Sequence, residues 1–162
     1  MTTPALQCQP CPPRARVRTD EDFIVNNGVT AGQVVPLDVV TYDRGGLRNS
    51  TTPSRLTVPA GWPGVYSLGA SVRFLAGTDD TGHGYRALFL RLNGTIILAS
   101  QKLPDVRLGT EPTDLTVTTD YELVATDYVE MVVQQARVTP ENITADQVTP
   151  FSASLWLTCL HR

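Results

Sequence analysis

Residues 64–76 read Gly-Val-Tyr-Ser-Leu-Gly-Ala-Ser-Val-Arg-Phe-Leu-Ala, and this stretch decides the fold. Its even-numbered positions from Tyr66 to Phe74 are all apolar, whereas the odd-numbered positions from Val65 to Arg73 are mostly small or polar. Successive side chains of an extended strand point to opposite sides. An alternation of period two over this length therefore predicts a β-strand with one apolar face.

The same alternation recurs along the chain, with turn signals between its occurrences. The Asn93-Gly94 pair is a strong hairpin signal, because both residues tolerate the positive φ of a tight turn. No segment predicts a helix beyond a single turn within 140–147. We therefore predict an all-β sandwich with strands at 34–41, 54–58, 64–76, 85–92, 95–100, 114–124, 127–136 and 150–158.

Several of these strands combine an apolar face with a face of small polar side chains. The apolar faces are sufficient to close a core between two packed sheets. The faces rich in serine, threonine and glycine either meet solvent or line a seam between subunits, where small side chains let two sheets approach closely. Periodicity alone leaves both interpretations open.

Length and composition indicate one globular domain with an arm. The chain has 162 residues, of which 41% are hydrophobic and 18% are charged, and this excludes general disorder. The proline-rich segment 1–16 is predicted to form an extended N-terminal arm that ends near the basic cluster Arg14, Arg16 and Arg18. Residues 17–162 are predicted to form the head domain.

The same data exclude several partners. A net charge of -3 and a pI of about 5.3 argue against nucleic acid as a partner. We find neither a signal peptide nor an apolar run of the ~20 residues that a membrane span needs, so no membrane partner is expected.

Motifs that carry chemistry are scarce. No nucleophile elbow, no zinc-binding histidine motif and no phosphate-binding loop occurs, so we predict no enzymatic activity, no catalytic residue and no cofactor. Asp79, Asp80 and His83 offer ligands for a cation, but they lack the spacing of a calcium loop, and we predict no metal site. At least one of the three thiols is unpaired and their pairing stays open: Cys8, Cys11 and Cys159.

Residues 56–68, Leu-Thr-Val-Pro-Ala-Gly-Trp-Pro-Gly-Val-Tyr-Ser-Leu, resemble the mid-domain signature of the globular heads of the complement/tumour-necrosis-factor superfamily. The sequence departs from the family pattern at Thr126 and Ala153, where the family usually has glycine. The resemblance implies a jelly roll of about ten antiparallel strands that forms a homotrimer. Further segments similar to the family pattern follow in the correct order: 32–38, 42–46, 90–94, 125–131 and 150–155.

The resemblance also implies which residues face the three-fold axis, because one sheet of the family fold lies on that axis. Trp156 is the one large side chain among them, and large aromatic residues dominate interface energetics. The implied trimer interface consists of Val65, Ser67, Gly69, Ser71, Thr116, Thr118, Ser152, Ser154 and Trp156.

Two features suggest where such a head would function. No Gly-X-Y repeat is present, so the collagen-like stalk of complement heads is missing. Lys102 is the single lysine among 13 basic residues, a skew that is typical of a G+C-rich genome. Together with the missing export signal, these features favour a virion protein of a bacteriophage.

We accordingly predict a non-enzymatic capsid decoration protein on the virion surface, present in the cytoplasm before assembly. Its arm, with Arg14, Arg16 and Arg18, is predicted to grip the major capsid protein or another virion protein. The alternative is the receptor- or glycan-binding tip of a phage fibre, with a host-surface glycan as its partner. A second alternative, from a different class, is a bacterial lectin-like or signalling-type binding module.

Overall fold

The computed structural model describes residues 11–26, 30–75, 84–104, 112–136, 141–143 and 153–161. All regular elements in this part of the chain are strands. They are β1 (Arg14–Arg18), β2 (Phe23–Val25), β3 (Gln33–Val34), β4 (Val39–Arg44), β5 (Arg48–Asn49), β6 (Thr52–Thr57), β7 (Gly64–Phe74), β8 (Tyr85–Leu92), β9 (Ile96–Pro104), β10 (Thr113–Leu123), β11 (Tyr128–Gln135), β12 (Glu141–Ile143) and β13 (Ser154–His161).

The strands form two antiparallel sheets. Sheet A has the order β4-β1-β13-β7, and β10 pairs with the other side of β7. The short strand β12 pairs with the end of β7, and β2 pairs with β12. Sheet B has the order β5-β6-β11-β8-β9, with β3 paired to β11. Strands that are distant in the chain thus lie side by side, as in a jelly-roll sandwich.

The core lies between the two sheets and is built from the predicted apolar faces. In β7, every even-numbered side chain from Tyr66 to Phe74 is buried, whereas Ser67 and Ser71 on the other face are only half-buried. The register places Leu155 of β13 opposite Ala70 of β7, and both are fully buried. The alternation that predicted this strand is therefore confirmed.

Two turns show how the strands are joined. The Asn93-Gly94 hairpin between β8 and β9 has positive φ at both residues (50° and 73°), as its sequence predicts. The turn between β10 and β11 places Thr126 at φ 75°, a region that side chains with a Cβ rarely adopt. Asp127 braces this turn, because one of its carboxylate oxygens accepts the Val124 backbone N–H at 2.9 Å.

The structure corrects two predicted elements. The single strand predicted at 34–41 is two strands, β3 and β4, and Pro36, which has no N–H to donate, lies between them. Residues 141–143, for which we predicted at most a helical turn, form strand β12, and the rest of 140–147 lies outside the described residues.

The predicted boundary between arm and head falls inside a strand. β1 lies between β13 and β4, and it buries Ala15 and Val17 completely in the core. Residues 14–16 therefore belong to the sheet, and Arg14 and Arg16 do not lie in an arm. Residues 1–10 lie outside the described part.

Candidate functional site

Eight of the nine predicted interface residues share one surface, the outer face of sheet A, which we call the seam face. The register aligns Trp156 of β13 with Gly69 of β7 and Thr118 of β10. The next aligned set is Ser154, Ser71 and Thr116. Ser152 lies outside the described residues. The structure thus brings the predicted residues together, while their role between subunits stays a prediction.

Trp156 lies flat on the seam face above Gly69. A Cβ added to Gly69 would fall among the ring atoms of the Trp156 indole. Glycine is therefore required at this position, because only a residue without a side chain leaves room for the indole against the backbone. The indole is half-buried in the single chain, so part of its surface is still available for contact.

The arginines predicted to lie in or next to the arm belong to the seam face instead. The Arg16 guanidinium lies over the Trp156 ring, 5.5 Å from its centroid. It also donates a hydrogen bond of 3.1 Å to the Ser154 hydroxyl, which in turn lies 3.0 Å from the Ser71 hydroxyl. Stacking and hydrogen bonding together hold the Arg16 side chain parallel to the sheet.

Charge on the seam face is divided between its two edges. The register aligns Arg14 with Arg44 and Arg16 with Tyr42, so the β1–β4 edge is basic. At the opposite edge, β10 exposes two carboxylates on the same face: Asp120 and Glu122.

A third carboxylate on β10 is neutralised within the chain. Asp114 accepts two hydrogen bonds from Arg73, of 2.7 and 2.6 Å. The hydrogen bonding with Arg73 holds the pKa of Asp114 below its usual value, against the opposing effect of partial burial.

The outer face of sheet B is organised differently, with its charges in adjacent pairs. Arg91 donates from two nitrogens to the same Glu130 oxygen, at 3.1 and 3.0 Å. The Arg55 guanidinium stacks on the Tyr128 ring at 4.1 Å from its centroid. The Lys102 ammonium lies 3.6 Å from the centroid of the Tyr85 ring.

A groove of about 240 Å³ opens on this side of the molecule. It is smaller than the pockets that hold drug-sized ligands, which measure roughly 300–1,000 Å³. We call it the sheet B groove; its lining residues are Thr52, Pro53, Ser54, Arg55 and Glu130. Sequence reasoning missed this site, because β6 and β11 are far apart in the chain and only the sheet register joins them.

Groups suited to metal binding or redox chemistry are not clustered in the described residues. No set of three histidine, cysteine, aspartate or glutamate side chains is placed to hold a metal ion there. The candidate cation loop, Asp79, Asp80 and His83, lies outside the described part, as does Cys8. Cys11 is an exposed free thiol and Cys159 is a buried one. No described helix has the length and hydropathy needed to cross a membrane.

Two antiparallel sheets with this strand order define a jelly-roll sandwich. The globular domain of zebrafish complement 1qA protein is similar, with a TM-score of 0.62 and 14% identity over 93% of this chain and 98% of that one. Eiger TNF from S. frugiperda is also similar, with a TM-score of 0.62 and 15% identity over 93% of this chain and 94% of that one. The chain therefore has the globular-domain fold of the complement/tumour-necrosis-factor type, and the resemblance predicted from residues 56–68 is confirmed at the level of fold.

Comparison of the sequence with protein-family models finds no match. Comparison with curated proteins finds none either.

Proposed function

We propose that this protein is a non-enzymatic binding module that assembles as a homotrimer through the seam face. Domains with this fold are often trimeric binding modules. The observation that carries the proposal is the division of charge on the seam face, where a basic edge and an acidic edge flank a flat centre of small residues.

In a closed ring of three identical subunits, each contact pairs two different surfaces of the same chain, and two edges of opposite charge are suited to such a contact. If the β10 edge of one subunit packs on the β1–β4 side of the next, Asp120 and Glu122 approach Arg14 and Arg44. Opposite charges at such a contact fix its orientation and disfavour wrong partners.

The centre of the seam face supports close approach. Serine, threonine and glycine occupy most of it, and their small side chains let a neighbouring sheet come near. Trp156 supplies one large, half-buried anchor there, with Gly69 below it and the Arg16 guanidinium over its ring. A pre-ordered aromatic side chain of this kind is a typical centre of an interface.

The trimer is tested by light scattering coupled to size-exclusion chromatography at micromolar concentration. We expect a mass close to three times 17.6 kDa. A species of 17.6 kDa over the whole concentration range would overturn the trimer.

Charge reversal tests the seam. The double variants R14E/R44E and D120R/E122R each place like charges at the contact, so we expect both to dissociate to monomers. Their combination restores complementarity and is expected to recover the trimer. The matched control E21R/D38R reverses two exposed carboxylates outside the strands and should remain trimeric.

Capsid decoration is the finer role that we propose for the trimer. It is supported by the preference for arginine over lysine, with one lysine among 13 basic residues. Arg14, Arg16 and Arg18 lie in β1 of the sheet, so they are not part of an extended arm. Any gripping arm is thus restricted to the segment before β1.

Binding assays with empty capsids and with host cells separate the two virion roles. Decoration predicts saturable binding to capsids that is lost when residues 1–10 are deleted, while the trimer persists. Binding to host cells or cell-wall glycans, without binding to capsids, would replace decoration by the role of a fibre tip. Binding to neither would remove both roles.

A further inference from the structure

The geometry of the sheet B groove points to a binding site for an acidic sugar unit, that is, a monosaccharide that carries a carboxylate or a sulfate ester beside free hydroxyls. Arg55 is the anion-binding residue of this site. The groove lies on the sheet opposite the seam face, so the inference does not depend on the trimer.

Arg55 is a guanidinium held in place without an anionic partner. Stacking on Tyr128 fixes its plane, and its Nε is buried without a hydrogen-bond acceptor. Within the described chain it forms no ion pair, although Glu130 is its partner in the sheet register. A buried donor without an acceptor is unfavourable, and a guanidinium is shaped to bind a carboxylate or sulfate.

Glu130 has one carboxylate oxygen to offer to a ligand. Both hydrogen bonds from Arg91 go to Oε2, so Oε1 is left as a free acceptor among the described contacts. Two guanidinium groups, on Arg55 and Arg91, thus surround one carboxylate, and the local charge is positive. The groove therefore favours a ligand that brings an anion and also a hydroxyl that can donate to Glu130.

Thr52 adds a second buried polar atom to the same site. Its hydroxyl oxygen is buried and has no hydrogen-bond partner within the described structure. A hydroxyl both donates and accepts, so a sugar hydroxyl is a suitable partner. A simple inorganic anion would satisfy Arg55 but would meet the Glu130 carboxylate without supplying a donor.

The sheet register explains why a groove forms here. Strand β11 pairs with β6 only through Tyr128, Val129 and Glu130, and then pairs with β3 at Val132 and Val133. The first half of β6, Thr52–Ser54, therefore has no neighbour on β11. The groove is lined by this half of β6, which pairs with β5 but not with β11, together with Arg55 and Glu130.

The inference is tested by titrating the protein with D-glucuronate, D-glucose 6-sulfate, D-glucose and inorganic sulfate, followed by ligand-observed NMR and calorimetry. We expect both acidic sugars to bind more tightly than glucose or inorganic sulfate, and the stronger of the two identifies the anion. R55Q is expected to weaken acidic-sugar binding by about tenfold or more. T52V is expected to weaken it less.

K102Q is the matched control, because Lys102 is also a cation stacked on a tyrosine of sheet B. It should bind like the wild type, and circular dichroism should show that all variants are folded. Equal binding by R55Q and the wild type would overturn the inference, as would the absence of binding by both acidic sugars. An oligoglutamate peptide is titrated in the same way, and tighter binding of this peptide than of either acidic sugar would also overturn the inference.

If the protein is monomeric but still binds glucuronate through Arg55, the trimer is contradicted and the binding site is supported. A trimer that binds no acidic sugar would do the reverse. The two proposals therefore fail separately.

Discussion

The two outer faces of the sandwich differ in how far most of their carboxylates lie from a cation of the same chain. On sheet B, cations lie next to a carboxylate or an aromatic ring of the same chain, as in the pairs Arg91–Glu130 and Lys102–Tyr85. On sheet A, cations and carboxylates are mostly separated, at opposite edges of a flat centre. Charge that is paired within the chain stabilises the fold, whereas charge separated across a face is available for the contact between subunits that we propose.

The largest effect on stability is expected from Gly69→Ala, a substitution at the centre of the seam face. Because a Cβ at Gly69 overlaps the Trp156 ring, the indole has to leave its place on β7 and lose its contact with Arg16. We expect a loss of about 2–3 kcal/mol in the free energy of unfolding, typical of overpacking a close contact. Urea denaturation measures it.

Ser67→Ala is the control for this prediction, since Ser67 lies on the same strand and the same face. Its free energy of unfolding should stay within about 0.5 kcal/mol of the wild type. If Gly69→Ala changed stability no more than Ser67→Ala, the indole would not need its contact with the strand.

The second prediction contrasts one glutamate on each face. Glu130→Gln removes the charge that binds Arg91, in a pair whose side chains are only 18% and 14% exposed. We expect a loss of about 1–2 kcal/mol in the free energy of unfolding, because a half-buried guanidinium then keeps a weaker acceptor. Thermal and urea unfolding of the purified variant measure it.

Glu122→Gln provides the comparison, because Glu122 is exposed on the seam face. Its effect on unfolding should be below about 0.5 kcal/mol when both variants are measured in the same association state. Equal losses for the two variants would contradict the distinction between paired and separated charge.

Most strands of this fold were predictable from the sequence, because alternating apolar residues and turn signals are local. β1 was not recognised, although Arg-Ala-Arg-Val-Arg also alternates with period two. Only two of its residues are apolar, and it follows directly on Pro12 and Pro13. Its place in the sheet comes from pairing with β13, such as Arg16 with Trp156, at the far end of the chain.

The seam face was predictable from local sequence patterns, whereas the sheet B groove was not. The first was predictable, since its members alternate with core residues on single strands, as Trp156 does with Leu155 and Leu157. The groove depends on the register that places Arg55 beside Glu130, and on the change of neighbour along β11. No local pattern specifies either of these.

The third prediction uses salt to separate the two faces. Raising the NaCl concentration from 0.1 to 1 M shortens the screening length from about 10 to about 3 Å, and this weakens contacts between exposed charges. We expect the protein concentration at half-dissociation of the trimer to rise by about tenfold or less. Light scattering over a dilution series measures it.

The quadruple variant that combines R14E/R44E with D120R/E122R keeps complementary charges at the proposed contact. Its half-dissociation concentration should depend on salt as that of the wild type does. Glu130→Gln leaves the seam face intact, so the salt dependence of trimer dissociation should be unchanged in this variant. A half-dissociation concentration that is independent of salt would mean that the edges do not meet between subunits.

The smallest effect is expected from Asp114→Asn, which removes the charge that binds Arg73 on the seam face. Asp114 is 56% exposed, so the pair contributes only about 0.2–1 kcal/mol. Hydrogen bonding with Arg73 lowers the pKa of Asp114 in the folded state below its ordinary value of 3.8. The stability that the ion pair contributes is therefore fully present above pH 3.8. It is lost as the pH falls through the folded-state pKa. Urea unfolding of wild type and variant should differ at neutral pH and converge in acid. A difference for Asp114→Asn that persists unchanged in strong acid would show that the ion pair is not its source.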